Sequence, residues 1–220
     1  MGFTTVEGKN RGDVRLYTLS SCAWCGKVKD LLNRLGVRYQ YVDTDLLEEQ
    51  EQDEIVTFLD SITEKWGFPV LLIHDKYLIC GYKEKATKEL LGMDEVDAWE
   101  ETEGTGEPLE ENEDVEKAYT RLKKFSQNKT YFLNPDAVFT KKLIKGLLVN
   151  QQRFGYWACP CRLASGNREE DRDIICPCDY MKLDVEEFGA CYCALYVSEK
   201  VSRGETEAET VPERRKKKRS

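Results

Sequence analysis

Six of the nine cysteines fall between residues 159 and 193 as three Cys-X-Cys pairs, Cys159/Cys161, Cys176/Cys178 and Cys191/Cys193. No hydrophobic period in the chain constrains the fold as strongly. Six thiols are two more than one tetrahedral metal or one cubane cluster uses, so they divide into four ligands and two over, enough for one redox-active disulfide. In the first two pairs the middle residue is proline, which fixes its own φ and keeps the residue before it out of the helical region. The backbone must therefore bend around whatever the two sulfurs hold. Zinc sites favour longer Cys-X2-Cys to Cys-X4-Cys knuckles, whereas iron–sulfur clusters take four thiolates with looser spacing. The residues alone leave three readings: an iron–sulfur cluster, a zinc site, or a disulfide framework of the kind that suits short secreted chains.

The order Cys-Pro-Cys, Cys-Pro-Cys, Cys-X-Cys, followed by the apolar run Ala194-Leu195-Tyr196-Val197, resembles the catalytic chain of ferredoxin:thioredoxin reductase over about residues 115–200. The resemblance implies a [4Fe-4S] cluster held by Cys159, Cys176, Cys178 and Cys191, beside a disulfide between Cys161 and Cys193. It further implies ferredoxin as electron donor and thioredoxin- or glutaredoxin-like proteins and protein disulfides as acceptors. Tyr192 stands where the family usually has a histidine, so that residue's role near the cluster does not carry over.

A second cysteine motif lies near the start. Val14 to Leu19 alternates as a strand, Ser20-Ser21 follows, and Cys22-Ala23-Trp24-Cys25 precedes Val28, Leu31, Leu32 and Leu35 at helical spacing. A Cys-X-X-Cys at a helix N-terminus exposes its first cysteine to unpaired N–H groups and the positive end of the helix dipole, which lower a thiol pKa. Lys27 and Lys29 add positive charge. Strands are expected at Arg38–Asp43, Val70–Ile73 and Tyr77–Cys80, and helices over 46–66 and 84–92, with Leu46 and Ile62 among the core positions of the first. Residues 13–92 resemble glutaredoxin on this pattern, with Pro69 where that family has a cis-proline. The glutathione-holding features are weak, because Ser21 precedes the motif and Phe68 precedes Pro69. Cys80 reads as core and the lone His74 has no catalytic role; Trp24 suits either substrate contact or local packing.

The net charge of −8 is an uneven average, since residues 94–116 hold twelve acidic and no basic side chains and the rest of the chain stands at +4 without them. No apolar run reaches the roughly 18 residues needed to cross a bilayer, nothing resembles a signal peptide, and a cytoplasmic protein is expected. In that reducing setting clustered cysteines are more often catalytic or metal-binding than structural. Beyond the acidic stretch, Val115–Gln127 and Pro135–Phe154 read as helices with Tyr119, Leu122, Phe125, Val138, Phe139, Leu143, Leu147 and Leu148 as core faces, the second capped by Asn134. Lys141, Lys142, Lys145, Arg153, Arg162, Arg168 and Arg172 read as basic surface suited to an acidic donor.

The sequence therefore predicts a multidomain chain: an α/β thioredoxin-like (glutaredoxin) domain over 1–92, whose first twelve residues form a loose start, an acidic flexible linker over 93–114, a mainly α-helical iron–sulfur domain over 115–203, and a disordered basic tail over 204–220. The expected function is a ferredoxin-dependent disulfide reductase passing electrons through the cluster and Cys161/Cys193 to Cys22/Cys25. A non-enzymatic metal- or cluster-binding module with a partner-recognising glutaredoxin-like domain is the alternative. Neither a membrane nor nucleic acid is expected as a partner.

Overall fold

Buried Val14, Leu16 and Tyr17 belong to β2 (Val14–Thr18), the central strand of a five-stranded sheet whose order is β1 (Thr4–Val6), β3 (Tyr39–Asp43), β2, β4 (Val70–Ile73) and β5 (Tyr77–Cys80). The computed structural model describes residues 2–93, 112–126 and 131–215, and the chain divides into two units, Met1–Pro108 and Leu109–Ser220. In the first, β2 pairs in parallel with β3 (Tyr39–Asp43), which requires a crossover, and α1 (Ala23–Arg34) supplies it. The strands β4 (Val70–Ile73) and β5 (Tyr77–Cys80) complete that side in antiparallel register. Helices α2 (Glu49–Ile62) and α3 (Glu84–Leu90) follow β3 and β5. This is the thioredoxin-like arrangement expected from the sequence.

Three details of this unit differ from the sequence reading. Thr4–Val6, expected as part of a loose start, form β1 and pair antiparallel with β3; three residues are too few to show a period, but their β-branched side chains suit a sheet edge. Helix α2 is shorter than expected, and Leu46 and Ile62, assigned to its core face, are exposed. Met93, assigned to the linker, is buried in this unit's core. His74 has a structural place: its ring hydrogen-bonds the Arg11 carbonyl at 2.7 Å. Gly12 makes that possible, because at its φ of 94° a Cβ would lie 2.1 Å from His74 Nε2.

In the second unit α4 (Glu113–Ser126) lays Val115, Ala118 and Leu122 against α5 (Ala137–Phe154), which buries Phe139, Leu143, Ile144 and Leu147. Phe125 and Val138, expected in the core, are exposed. The cap of α5 is Asp136, whose carboxylate accepts from the Phe139 N–H at 2.9 Å. Asn134, expected as the cap, instead donates its side-chain amide to the Ala194 carbonyl at 3.0 Å and so ties the helix start to the last cysteine pair. The short strands β6 (Phe132–Leu133) and β7 (Tyr196–Val197) pair antiparallel, and α6 (Met181–Phe188) and α7 (Glu199–Ser202) close the unit.

The expected disordered tail is also corrected, as far as residue 215. Glu213 pairs with Arg162, Arg214 with Asp184 and Glu187, and Arg215 with Asp171 and Asp173. A composition argument sees only a run of charge; Arg162, Asp171 and Asp184 are buried, and buried charges require partners. Residues 94–111 and 216–220, which hold most of the expected linker and the end of the tail, lie outside the described residues. Among the described residues no helix is long and apolar enough to cross a membrane.

Candidate functional site

Local backbone bonding gathers the three Cys-X-Cys pairs. The first is a turn in which the Arg162 N–H donates to the Cys159 carbonyl at 3.3 Å, with Pro160 at the position whose φ the turn requires. It is held against the second pair, since the Cys159 N–H donates to Ile174 O at 2.9 Å and the Cys176 N–H to Trp157 O at 2.7 Å. Asn150 of α5 pins the same segment by donating to the Ala158 carbonyl at 2.9 Å. The third pair sits in a tight loop where the Cys191 N–H donates to Tyr196 O at 2.8 Å and Ala194 takes a φ of 61°. The Cys176–Pro177 bond is cis.

Cys159, Cys161, Cys191 and Cys193 are buried, and Cys176 and Cys178 half-buried. Every pair among Cys159, Cys176, Cys178 and Cys191 lies close enough for each thiolate to act on the other's charge. Burial first, and then these like charges, push Cys176 well above its ordinary value and Cys178 up to about 12. The Cys193 thiol hydrogen-bonds Cys159 and Cys191, with its sulfur 3.7 Å from that of Cys191. That bond is the main influence lowering the Cys159 pKa. Burial acts to raise Cys191, but the bond from Cys193 and the Tyr196 N–H, 3.3 Å from the Cys191 sulfur, outweigh it and hold it below its ordinary value. The four thiols assigned as ligands thus lie within electrostatic reach of one another, with Cys193 hydrogen-bonded to two of them and the Cys161 N–H donating to Cys159. Among the described residues no three His, Cys, Asp or Glu side chains converge on a single ion.

Arg162 was missed by the sequence reading, which placed it on a basic surface. It is 4% exposed, its Nε donates to both carboxylate oxygens of Glu213 at 2.9 and 3.1 Å, and its Nη1 lies 3.5 Å from the Cys178 sulfur. The guanidinium lies over the rings of Tyr192, at 4.2 Å, and Tyr180, at 4.9 Å. Burial works to lower its pKa, but Cys159, Glu213 and Cys178 outweigh that and hold the cation firmly charged. Tyr192, at the family's histidine position, therefore acts as a platform for a fixed cation. The buried Tyr196 ring adds an apolar wall, and its hydroxyl stays protonated, its pKa raised by burial and then by Cys176, Cys191 and Cys193.

In the first unit Cys22 caps α1, and its sulfur accepts from the Cys25 N–H at 3.3 Å. Expected as the exposed cysteine, Cys22 is only 5% exposed, because its sulfur turns back over the helix's first turn. Cys25 is buried, and burial, reinforced by its bond to Cys22, pushes its thiol well above the ordinary value. Lys29 pairs with Asp43 at 2.9 Å and Ser20 bonds Asp45 at 2.6 Å, fixing the motif to the end of β3 and the turn after it. Trp24 packs locally, its ring 6.3 Å from that of Tyr82 and 5.0 Å from the Lys27 ammonium. The peptide between Phe68 and Pro69 is cis, and Cys80 is half-buried in β5.

Comparison with known proteins agrees with this division. The family model of the ferredoxin thioredoxin reductase catalytic beta chain matches residues 108–218, and that of glutaredoxin matches residues 14–78. Among solved structures, the chain is similar to the glutaredoxin of Methanosarcina mazei Go1 at 41% identity, covering 41% of this chain and 87% of that one, with a TM-score of 0.37. Methanoredoxin of Methanosarcina acetivorans is 40% identical over 42% of this chain and 96% of its own, with a TM-score of 0.37. No curated protein matches. With its cysteine-bearing half matched by one family over more than half of its length, the chain belongs to the ferredoxin thioredoxin reductase catalytic beta chain family, joined here to a glutaredoxin domain.

Proposed function

We propose that this chain is a ferredoxin-dependent disulfide reductase in which Cys159, Cys176, Cys178 and Cys191 hold a [4Fe-4S] cluster. The observation that carries the reading is the mutual proximity of these four thiols, with the Cys193 thiol bonded to two of them. The donor set fits the group: it is all thiolate, and the four sulfurs need not meet at one ion, because each ligates its own iron. N–H groups of Cys161, Tyr180 and Tyr196 donate to Cys159, Cys178 and Cys191, as is expected around cluster sulfurs. When bound, the cluster supplies one-electron storage between a donor that delivers electrons singly and a disulfide that takes two.

Cys161 and Cys193 form the disulfide, reduced by two electrons and two protons to a dithiol. Cys193 stays beside the ligand sulfurs and Cys161 is the attacking thiolate. Its attack on a Cys22–Cys25 disulfide forms a Cys161–Cys22 bond, breaks the Cys22–Cys25 bond and expels Cys25 as a thiolate. The raised pKa of Cys25 favours its capture of a proton at that moment. Cys193 then attacks Cys161, restoring the Cys161–Cys193 disulfide and releasing Cys22, which passes the reducing equivalents on to protein disulfides. Cys161 and Cys22 are both buried, so exchange requires local opening at each site. The ferredoxin-to-disulfide direction is downhill: about −400 mV for a plant-type ferredoxin against about −270 mV for a thioredoxin-like disulfide is roughly 6 kcal/mol for two electrons. A cytoplasmic location accords with this thiol chemistry.

The test is a chain carrying Cys25→Ser and Cys193→Ser, which removes both resolving thiols. Peptide mapping under mild oxidation is expected to recover a Cys161–Cys22 bond. Recovery of Cys161 bonded solely to added thioredoxin-like protein would show that the glutaredoxin domain is not the acceptor.

A further inference from the structure

The buried Arg162–Glu213 pair has no part in ligation or thiol exchange, yet it is built into the wall of the cysteine cluster. Arg162 is fixed on every side: Glu213 grips its Nε, Tyr192 and Tyr180 face its plane, and Nη1 reaches the Cys178 sulfur. Among the described residues its buried Nη2 has no hydrogen-bond partner, a cost that calls for a role beyond packing. Glu213 comes from the C-terminal segment, held in place by Arg214 on Asp184 and Glu187 and by Arg215 on Asp171 and Asp173.

We propose that Arg162 is a positioning residue whose fixed positive charge beside Cys178 raises the reduction potential of the centre that Cys178 helps to hold, and that Glu213, delivered by the C-terminal strap, sets how much of that charge is felt. The inference rests on the ligand assignment of the preceding subsection. Its physical basis is that one-electron reduction adds a negative charge to the site. A nearby cation favours the reduced form and a nearby anion the oxidised form, strongly so where water is excluded.

The experiment is a redox titration, read by electron paramagnetic resonance with iron content measured alongside, on the full chain and on Arg162→Gln, Arg162→Lys and Glu213→Gln. R162Q is expected to lower the midpoint, by roughly tenfold in the ratio of reduced to oxidised centre at fixed potential, about 59 mV for one electron. E213Q is expected to raise it, and R162K to restore part of the loss. Opposite signs distinguish a charge effect from damage to the fold, which would move both variants the same way. Should R162Q lose its iron, E213Q alone decides. Iron retained in E213Q with the midpoint unchanged or lowered would overturn the role of this pair and leave the ligand assignment standing. Absence of iron from the unaltered chain would instead overturn the ligand assignment, and this role with it.

Discussion

Asp171→Ala is expected to cost the second unit about 3–5 kcal/mol, the range for removing one partner of a buried ion pair. The carboxylate is fully buried and accepts from Tyr156 Oη at 2.7 Å, Arg215 Nη2 at 3.0 Å, and the Ser165 and Gly166 N–H groups at 3.0 and 3.2 Å. Its loss strands a phenol and two backbone donors, each worth about 1–3 kcal/mol when buried unpaired. Arg215 keeps Asp173 and the carbonyls of Leu163 and Glu170, which holds the total below the sum of the separate losses. With a urea slope of about 1–3 kcal/mol per molar, the unfolding midpoint should fall by roughly 2 M. Hydrogen-exchange mass spectrometry along a urea series reads each unit by its own peptides, so the first unit is an internal control. Tyr156→Phe should cost about 1 kcal/mol in the same assay. A loss below about 1 kcal/mol in Asp171→Ala, or an equal loss in both units, would refute the view that this carboxylate organises the loop between the first two cysteine pairs.

Two further outcomes follow from titration. Burial raises the Asp184 pKa despite its bond to Arg214, so the folded state binds that proton more readily than the unfolded one. The contribution is therefore fully present at low pH and lost as pH rises from the ordinary value of 3.8 through the raised one; a pH series of second-unit stability should show this slope in the unaltered chain and lack it in Asp184→Asn. The raised Cys25 pKa predicts that iodoacetamide at neutral pH modifies Cys22 first and reaches Cys25 as pH rises, and mass mapping that finds Cys25 alkylated first would contradict the assigned roles.

What the sequence disclosed, and what it hid, divides by the range of the interactions. The strand, Cys-X-X-Cys and helix of the first unit are local patterns with strong periods, and β2, α1, β4 and β5 appear where the residues placed them. That the three Cys-X-Cys pairs bend around a common centre was legible through their pairing and through Pro160 and Pro177, whereas the choice of Cys159, Cys176, Cys178 and Cys191 as the ligands came from the family resemblance. Arg162 was not, because its partner Glu213 lies 51 residues away and a lone arginine between cysteines looks like any surface cation. The tail failed for the same reason: Arg214 and Arg215 read as part of a basic run until buried Asp184 and Asp171 are seen to face them. Tyr192 read as a missing histidine, and its ring face under a guanidinium is a tertiary fact.

The most direct test of the account is analysis of iron and acid-labile sulfide in the chain purified without oxygen, together with Cys176→Ser and Cys161→Ser. Iron and sulfide are expected in equal amounts at one [4Fe-4S] cluster per chain, retained in Cys161→Ser and lost in Cys176→Ser. Zinc in place of iron, or full iron in Cys176→Ser, would contradict it.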